Sequence, residues 1–128
     1  MNPYKEIEDR VLEAKNLDEM AEALYELLNG NFSVWKDGSL YTTKQLVEMH
    51  KGLKIEIYPD EHPPPHFHVK GSDINVSFSI ENCKLLEGTI DSRRNALIEW
   101  WWKRSNSKLI DIWNNTRPSD CPVGPIKT

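Results

Sequence analysis

The sequence has few of the features that mark membrane, secreted or disulfide-stabilised proteins. It has only two cysteines, Cys83 and Cys121, and they lie far apart and outside any CxxC spacing. No stretch approaches the ~18 consecutive apolar residues of a spanning helix. The first ten residues turn acidic and contain no apolar core of the secretory kind. We therefore expect a cytoplasmic globular protein with two reduced thiols, a disulfide between them being the alternative.

Sequence motifs of the common enzyme classes are also missing. The chain contains no GxGxxG, no Walker-type loop, no HExxH and no GxSxG. The neighbouring carboxylates Asp60 and Glu61 would face opposite sides of a strand, so they are poorly placed to share a proton. Catalysis, if there is any, has to come from another cluster of residues.

Charge is distributed unevenly along the chain, whose net charge is −4. Residues 1–30 carry three basic and eight acidic side chains, whereas residues 92–128 carry seven basic and three acidic ones. The basic end can dock on the acidic end, or it can offer a basic face to an anionic partner. We favour the first interpretation.

Residues 1–51 are predicted to form a helical extension that carries a short hairpin. A helical stripe of apolar residues follows Asn16, which has the spacing of an N-cap to Glu19 and precedes Gly30 at the helix end. An earlier helical piece ends near Asn16. Asp37-Gly38 between two apolar runs then indicates a hairpin, and a short helix is expected to follow it and to end at Gly52.

Residues 52–128 are predicted to form an α+β domain. From Leu53 the hydrophobic period changes to two, and four short alternating runs follow, joined by connections of a few residues. This indicates an antiparallel meander of about four strands. Ser92 is expected to cap a long Trp-rich helix running to about Asn115, packed on the sheet, and an extended Pro-rich tail follows.

The segment between the first two predicted strands is the strongest candidate site. Three of the four histidines fall within seven positions, and three consecutive prolines stiffen the backbone between them. His66 and His68 lie at i and i+2 on a strand, so they share a face and can bind a divalent metal such as Zn, Mn or Ni. His62, Asp60 or Glu61 would complete the ligand set.

Two other interpretations of this segment stay open. The histidines can hydrogen-bond neighbouring strands while the prolines protect a sheet edge, or they can transfer protons or bind an anion. Geometry also limits the metal interpretation, because an extended tri-proline separates His62 from His66 by roughly 12 Å. A bend would be needed for both to reach one ion.

The long helix offers a second candidate surface. Its apolar residues gather in one arc of the helical wheel, whereas Trp100 falls outside that arc beside Arg93, Lys103 and Arg104. An indole among cations suits a partner-binding anchor, or a weak nucleic-acid site. The alternative, which we favour, is that Trp100 packs under the N-terminal helices with the arginines paired to glutamates. Residues 105–107 are poor helix formers, so a break is also considered there.

The string His62-Pro63-Pro64-Pro65-His66-Phe67-His68-Val69, preceded by Ile55-Glu56-Ile57-Tyr58, resembles the signature of a small bacterial family, domain of unknown function 4160. The resemblance continues through residues 85–88 and the helix around Glu99-Trp100, and covers about residues 52–126. It implies no established activity. Members of the family are mostly short and are often encoded beside another small gene, in arrangements like toxin–antitoxin pairs. Residues 1–51 depart from the usual short member.

Three functions follow as hypotheses from these observations. The first is a protein-binding module of a toxin–antitoxin-like pair, in which the extension or the Trp100 surface meets a small protein partner. The second is a metal-dependent hydrolase or nuclease in which His66 and His68 hold the ion. The third is nucleic-acid binding through the basic helix face.

Overall fold

The computed structural model describes residues 5–30, 32–42, 52–58 and 64–116 and has an α+β fold, as predicted. None of the helices in these ranges is long and apolar enough to cross a membrane. The predicted helix after the hairpin and the Pro-rich tail lie outside the described residues.

The described residues form three helices and six strands. In chain order they are α1 Lys5–Glu13, α2 Leu17–Asn29, β1 Phe32–Val34, β2 Leu40–Thr42, β3 Leu53–Glu56, β4 His66–Gly71, β5 Asn75–Ser79, β6 Leu85–Glu87 and α3 Ser92–Thr116.

The two N-terminal helices are separated where the sequence predicted a break. The Asn16 side chain accepts a hydrogen bond from the Glu19 amide at 2.9 Å, which makes Asn16 the N-cap of α2. Gly30 follows α2 in an extended conformation, and a Cβ there would lie 2.7 Å from the Glu26 carbonyl oxygen. Glycine is therefore needed at this position because a side chain would clash with the Glu26 carbonyl, and not because the backbone has a positive φ.

Strands β1 and β2 form the predicted hairpin. The Trp35 amide donates to the Ser39 carbonyl at 2.8 Å, and Gly38 has a φ of +90°, which favours glycine. The register pairs Val34 with Leu40. Because alternate residues share a face, Trp35 and Tyr41 lie together on the face opposite to these two residues.

Strands β3 to β6 form the predicted antiparallel meander in the order β3-β4-β5-β6. Phe67 of β4 pairs with Phe78 of β5, and Val69 pairs with both Ile55 and Val76. These apolar side chains are buried and form the core face of the sheet. The polar residues that alternate with them occupy the other face.

Helix α3 is continuous, so the break considered at residues 105–107 is wrong. Ser105 is completely buried within the helix, where packing outweighs its poor helix propensity. The predicted cap is shifted by one residue, because Asp91 rather than Ser92 accepts from the Arg94 amide, at 3.0 Å. Large side chains join the helix to the sheet: Trp101 contacts Phe67 with ring centroids 5.6 Å apart.

The N-terminal elements pack on α3 and α2 also lies against β3, so that all of them share one hydrophobic core. The Arg104 side chain of α3 forms an ion pair with Glu8 of α1 at 3.0 Å. The Lys108 ammonium group donates to the carbonyls of Val11 and Leu12 at the end of α1. The described part of the basic helix therefore contacts the acidic N-terminal segment, in agreement with the interpretation favoured from the charge distribution.

Candidate functional site: a histidine pair and an exposed aromatic pair

His66 and His68 lie on the polar face of the sheet, as their i, i+2 spacing predicted. Their ring centroids are 4.9 Å apart, with the rings nearly perpendicular. His68 is paired in register with Glu56 of β3 and Ser77 of β5, so these three side chains share this face. The two imidazoles are therefore brought into direct contact.

His66 is held in place by the backbone that precedes it. Its Nδ1 donates a hydrogen bond to the Pro64 carbonyl at 2.7 Å, and its side chain is almost fully buried. Its ring also approaches Trp113, near the end of α3, with a centroid distance of 6.3 Å. The hydrogen bond fixes both the orientation of the ring and, in the neutral form, the nitrogen that carries the proton.

Pro64 and Pro65, directly before His66, accept hydrogen bonds through their carbonyl oxygens. A proline has no amide N–H, so its backbone can only accept. Pro64 accepts from His66, and the next carbonyl, that of Pro65, accepts from the Ile80 amide at 3.0 Å. The stiff segment thus positions two consecutive carbonyl groups. That of Pro64 accepts from the His66 ring, and that of Pro65 accepts from the backbone just after β5.

Three further polar side chains lie beside the histidines. The Tyr58 hydroxyl donates to the Glu56 carboxylate and accepts from the Lys70 ammonium group at 2.8 Å. The Tyr58 ring lies 5.0 Å from the ring of His68. Together with the histidines these residues lie on one face of the sheet, which we call the histidine face: Glu56, Tyr58, His66, His68 and Lys70.

The other predicted members of the histidine site, Asp60, Glu61 and His62, lie outside the described residues. Among the residues that are described, no group of three or more His, Cys, Asp or Glu side chains is arranged to hold a metal ion. The histidine face therefore provides a pair of nitrogen ligands rather than a complete ligand set.

The structure does not place Trp100 as an exposed anchor. Only 3% of its surface is exposed, and the Arg104 guanidinium stacks on its ring at 3.8 Å from the centroid. Arg93 is also engaged, with backbone carbonyls at the end of α2, while Lys103 forms an exposed pair with Glu99 at 3.8 Å. Among the four residues of the predicted partner surface, Lys103 is the accessible cation. The N-terminal elements cover Trp100, Arg93 and Arg104.

A different tryptophan is exposed. Trp35, next to the turn of the β1–β2 hairpin, has 57% of its surface exposed and stacks on Tyr41 with ring centroids 4.3 Å apart. A cleft of about 260 Å³ lies between this hairpin and α3, with Ala96 and Trp100 among its lining residues. The sequence contained a signal for this pair, since a tryptophan beside a tight turn on a short strand has little opportunity to be buried.

These features define a small α+β domain in which a four-stranded antiparallel sheet carries paired histidines after a proline run. Residues 52–114 match the family model DUF4160, a domain of unknown function, and this part of the chain belongs to that family. The match begins just before β3 and ends within α3, so α1, α2 and the aromatic hairpin lie outside it. No curated protein and no solved structure matches the chain.

Proposed function

We propose that this chain is a cytoplasmic bacterial protein that acts by binding another small protein, as one half of a toxin–antitoxin-like pair. The observation that carries the proposal is the exposed aromatic pair, Trp35 on Tyr41. Tryptophan and tyrosine are enriched among the residues that supply most of the binding energy at protein interfaces. A rigid stacked pair loses little conformational entropy when a partner covers it.

The position of the pair in the chain also supports a partner-binding role. The hairpin belongs to the segment that precedes the DUF4160 match, yet it is anchored on α3 of the matched domain. Members of the family that the chain resembles are often encoded beside another small gene, an arrangement typical of proteins that act in pairs. In this proposal the extension supplies the contact surface, and the matched domain supplies the rigid base on which it rests.

The proposal is tested by measuring binding between the full chain and the product of the neighbouring small gene. We expect a complex whose dissociation constant rises roughly 30-fold or more in Trp35→Ala, since truncating a central interface residue costs about 2 kcal/mol or more. Leu85→Ala is the matched control, because Leu85 is 37% exposed but lies in β6 of the matched domain, outside the extension. Equal affinity of the two variants would contradict the proposal, as would the absence of any complex.

A metal-dependent hydrolase or nuclease is the second candidate function. The contact between His66 and His68 favours it, since paired imidazoles are common ligands of catalytic divalent ions. The test is hydrolysis of nucleic-acid and ester substrates by the full chain with added Zn²⁺, Mn²⁺ or Ni²⁺, with His68→Ala as control. Activity that is equal in the control would belong to a contaminant and would contradict this candidate.

Nucleic-acid binding through α3 stays a prediction, and the described geometry adds no support for it. Trp100 is buried, and the guanidinium groups of Arg93 and Arg104 are already paired with groups of the N-terminal segment. Binding with an affinity that falls steeply as salt rises would be its signature.

A further inference from the structure

The contact with α3 leaves most of the acidic charge of the N-terminal helices unpaired. Residues 5–30 carry eight acidic and three basic side chains, a net charge of −5. The basic side chains of α3 reach the N-terminal elements mainly through backbone carbonyls, three of them for Arg93 and two for Lys108. Among these described contacts, the ion pair is that of Arg104 with Glu8. The N-terminal helices therefore keep an excess of negative charge after they dock.

Part of this excess lies along the groove between α1 and α2, which has a volume of about 480 Å³. Glu13 and Glu22 line the groove and are exposed, and within the described part of the chain neither forms an ion pair. Arg10 lies in the same groove, but its guanidinium is already paired with Glu6 and Glu26. The outer side of the two helices thus presents carboxylates to solvent.

The turn beside the exposed aromatic pair has no net charge of its own. Lys36 and Asp37 follow Trp35, and their charges cancel. An exposed tryptophan stacked on a tyrosine can hold either a protein side chain or an unstacked nucleic-acid base. The acidic helices favour the protein, because their field repels phosphate groups and attracts cationic side chains. Charge complementarity therefore indicates a partner with a basic surface.

We propose that the partner covering Trp35 and Tyr41 is a basic protein, and that the carboxylates of α1 and α2 accelerate its association. This inference rests on the proposed function, because it specifies the partner of the same surface. Electrostatic attraction acts mainly on the association rate, whereas truncation of a central contact acts mainly on the dissociation rate. The two claims therefore have separate kinetic signatures.

The experiment is stopped-flow measurement of binding between the full chain and the product of the neighbouring small gene. It is made at about 10 mM and at about 150 mM NaCl, where the Debye length is roughly 30 Å and roughly 8 Å. We expect the association rate constant to fall roughly tenfold or more as salt rises, while the dissociation rate constant changes less than about twofold. A complex whose association rate is independent of salt, or rises with it, overturns this inference and leaves the proposed function standing.

Two variants of opposite charge change test whether the N-terminal segment supplies the attraction. Glu13→Gln/Glu22→Gln removes two exposed carboxylates and should slow association roughly threefold or more at low salt. Lys5→Gln/Lys15→Gln, the matched control, removes two exposed cations of the same segment and should accelerate association instead. A circular dichroism spectrum establishes that each variant is folded. Equal rates in the two variants, or slower association in both, overturn the inference. If the chain forms no complex at all, the inference and the proposed function are both overturned.

Discussion

Arg93, in the first turn of α3, donates from Nε to the carbonyl oxygen of Phe32 in β1 at 3.1 Å. The same guanidinium donates to the carbonyls of Leu28 and Gly30, both at 3.2 Å. Carbonyls at the end of a helix have no partner within the helix, and a cation there also interacts favourably with the helix dipole. One side chain of the DUF4160 domain thus holds the end of α2 and the start of the hairpin.

Replacing Arg93 should therefore loosen the N-terminal extension. We expect Arg93→Ala to lower the free energy of unfolding by about 2–3 kcal/mol, because partly buried carbonyls lose charged donors. Arg93→Lys should recover only part of the loss, since an ammonium group cannot reproduce the planar fork of donors. Urea denaturation measures both values. Lys103→Ala, which removes an exposed pair with Glu99, is the control and should change stability by less than about 0.5 kcal/mol.

Replacing Trp35 and Trp100 by alanine should have very different effects on stability, because Trp35 is exposed and Trp100 is buried. Trp100→Ala removes a buried ring and the stacking surface of Arg104, so we expect a loss of about 3–5 kcal/mol in the free energy of unfolding. Trp35→Ala removes one aromatic stack, for which about 0.5–1.5 kcal/mol is expected. Thermal and urea unfolding of the two variants test this. A Trp100→Ala protein as stable as Trp35→Ala would contradict the burial of Trp100.

The sheet and the helices could be predicted from the sequence because the spacing of hydrophobic residues differs between strands and helices. His66 and His68 could be placed together because alternate residues of a strand point to the same face. The helical wheel alone did not predict the burial of Trp100, although the interpretation favoured from the sequence placed Trp100 under the N-terminal helices. A helical wheel identifies the widest apolar arc and assumes one packing partner, but α3 packs on the sheet and on the N-terminal elements. Residues beside the main arc are then buried as well, Trp100 and Ser105 among them. Nor did the wheel single out Trp35, whose exposure depends on the tertiary position of the hairpin.

Two glycines with the same φ should respond very differently to alanine. Gly38 and Gly88 both have φ of +90°, but a Cβ at Gly38 meets nothing within 4 Å, whereas a Cβ at Gly88 would lie 2.4 Å from the Asn75 carbonyl oxygen. Gly38→Ala should cost about 1–2 kcal/mol, the cost of a left-handed conformation. Gly88→Ala adds a clash with the backbone of β5 and should cost at least about 2 kcal/mol more. Denaturant unfolding compares them, and equal losses would show that the clash is relieved by a small shift of β6.

The thiol of Cys83 should be unreactive in the folded chain. Burial, and to a smaller extent the nearby Glu99 carboxylate, raise the pKa of this free thiol to about 12. Since the thiolate is the reactive form, only about one Cys83 thiol in ten thousand is ionised at pH 8. We expect slow alkylation of Cys83 in a Cys121→Ala chain, and a rate typical of an exposed cysteine once that chain is unfolded in urea. Rapid alkylation of the folded chain would contradict the burial.

The same raised pKa of Cys83 predicts a loss of stability in alkaline solution. Well below pH 9 the Cys83 thiol is protonated in both the folded and the unfolded chain, so it does not make stability depend on pH there. Above the ordinary pKa of 9.0 the unfolded chain releases the proton while the folded chain keeps it until about 12, so unfolding becomes more favourable as the pH rises between these values. Between pH 8 and pH 10 the wild-type chain should lose about 1 kcal/mol more than Cys83→Ala does. Urea unfolding of both proteins at the two pH values isolates this effect, because the lysines and tyrosines titrate alike in both. Identical pH profiles would show that the Cys83 thiol ionises as easily in the folded chain as in the unfolded one.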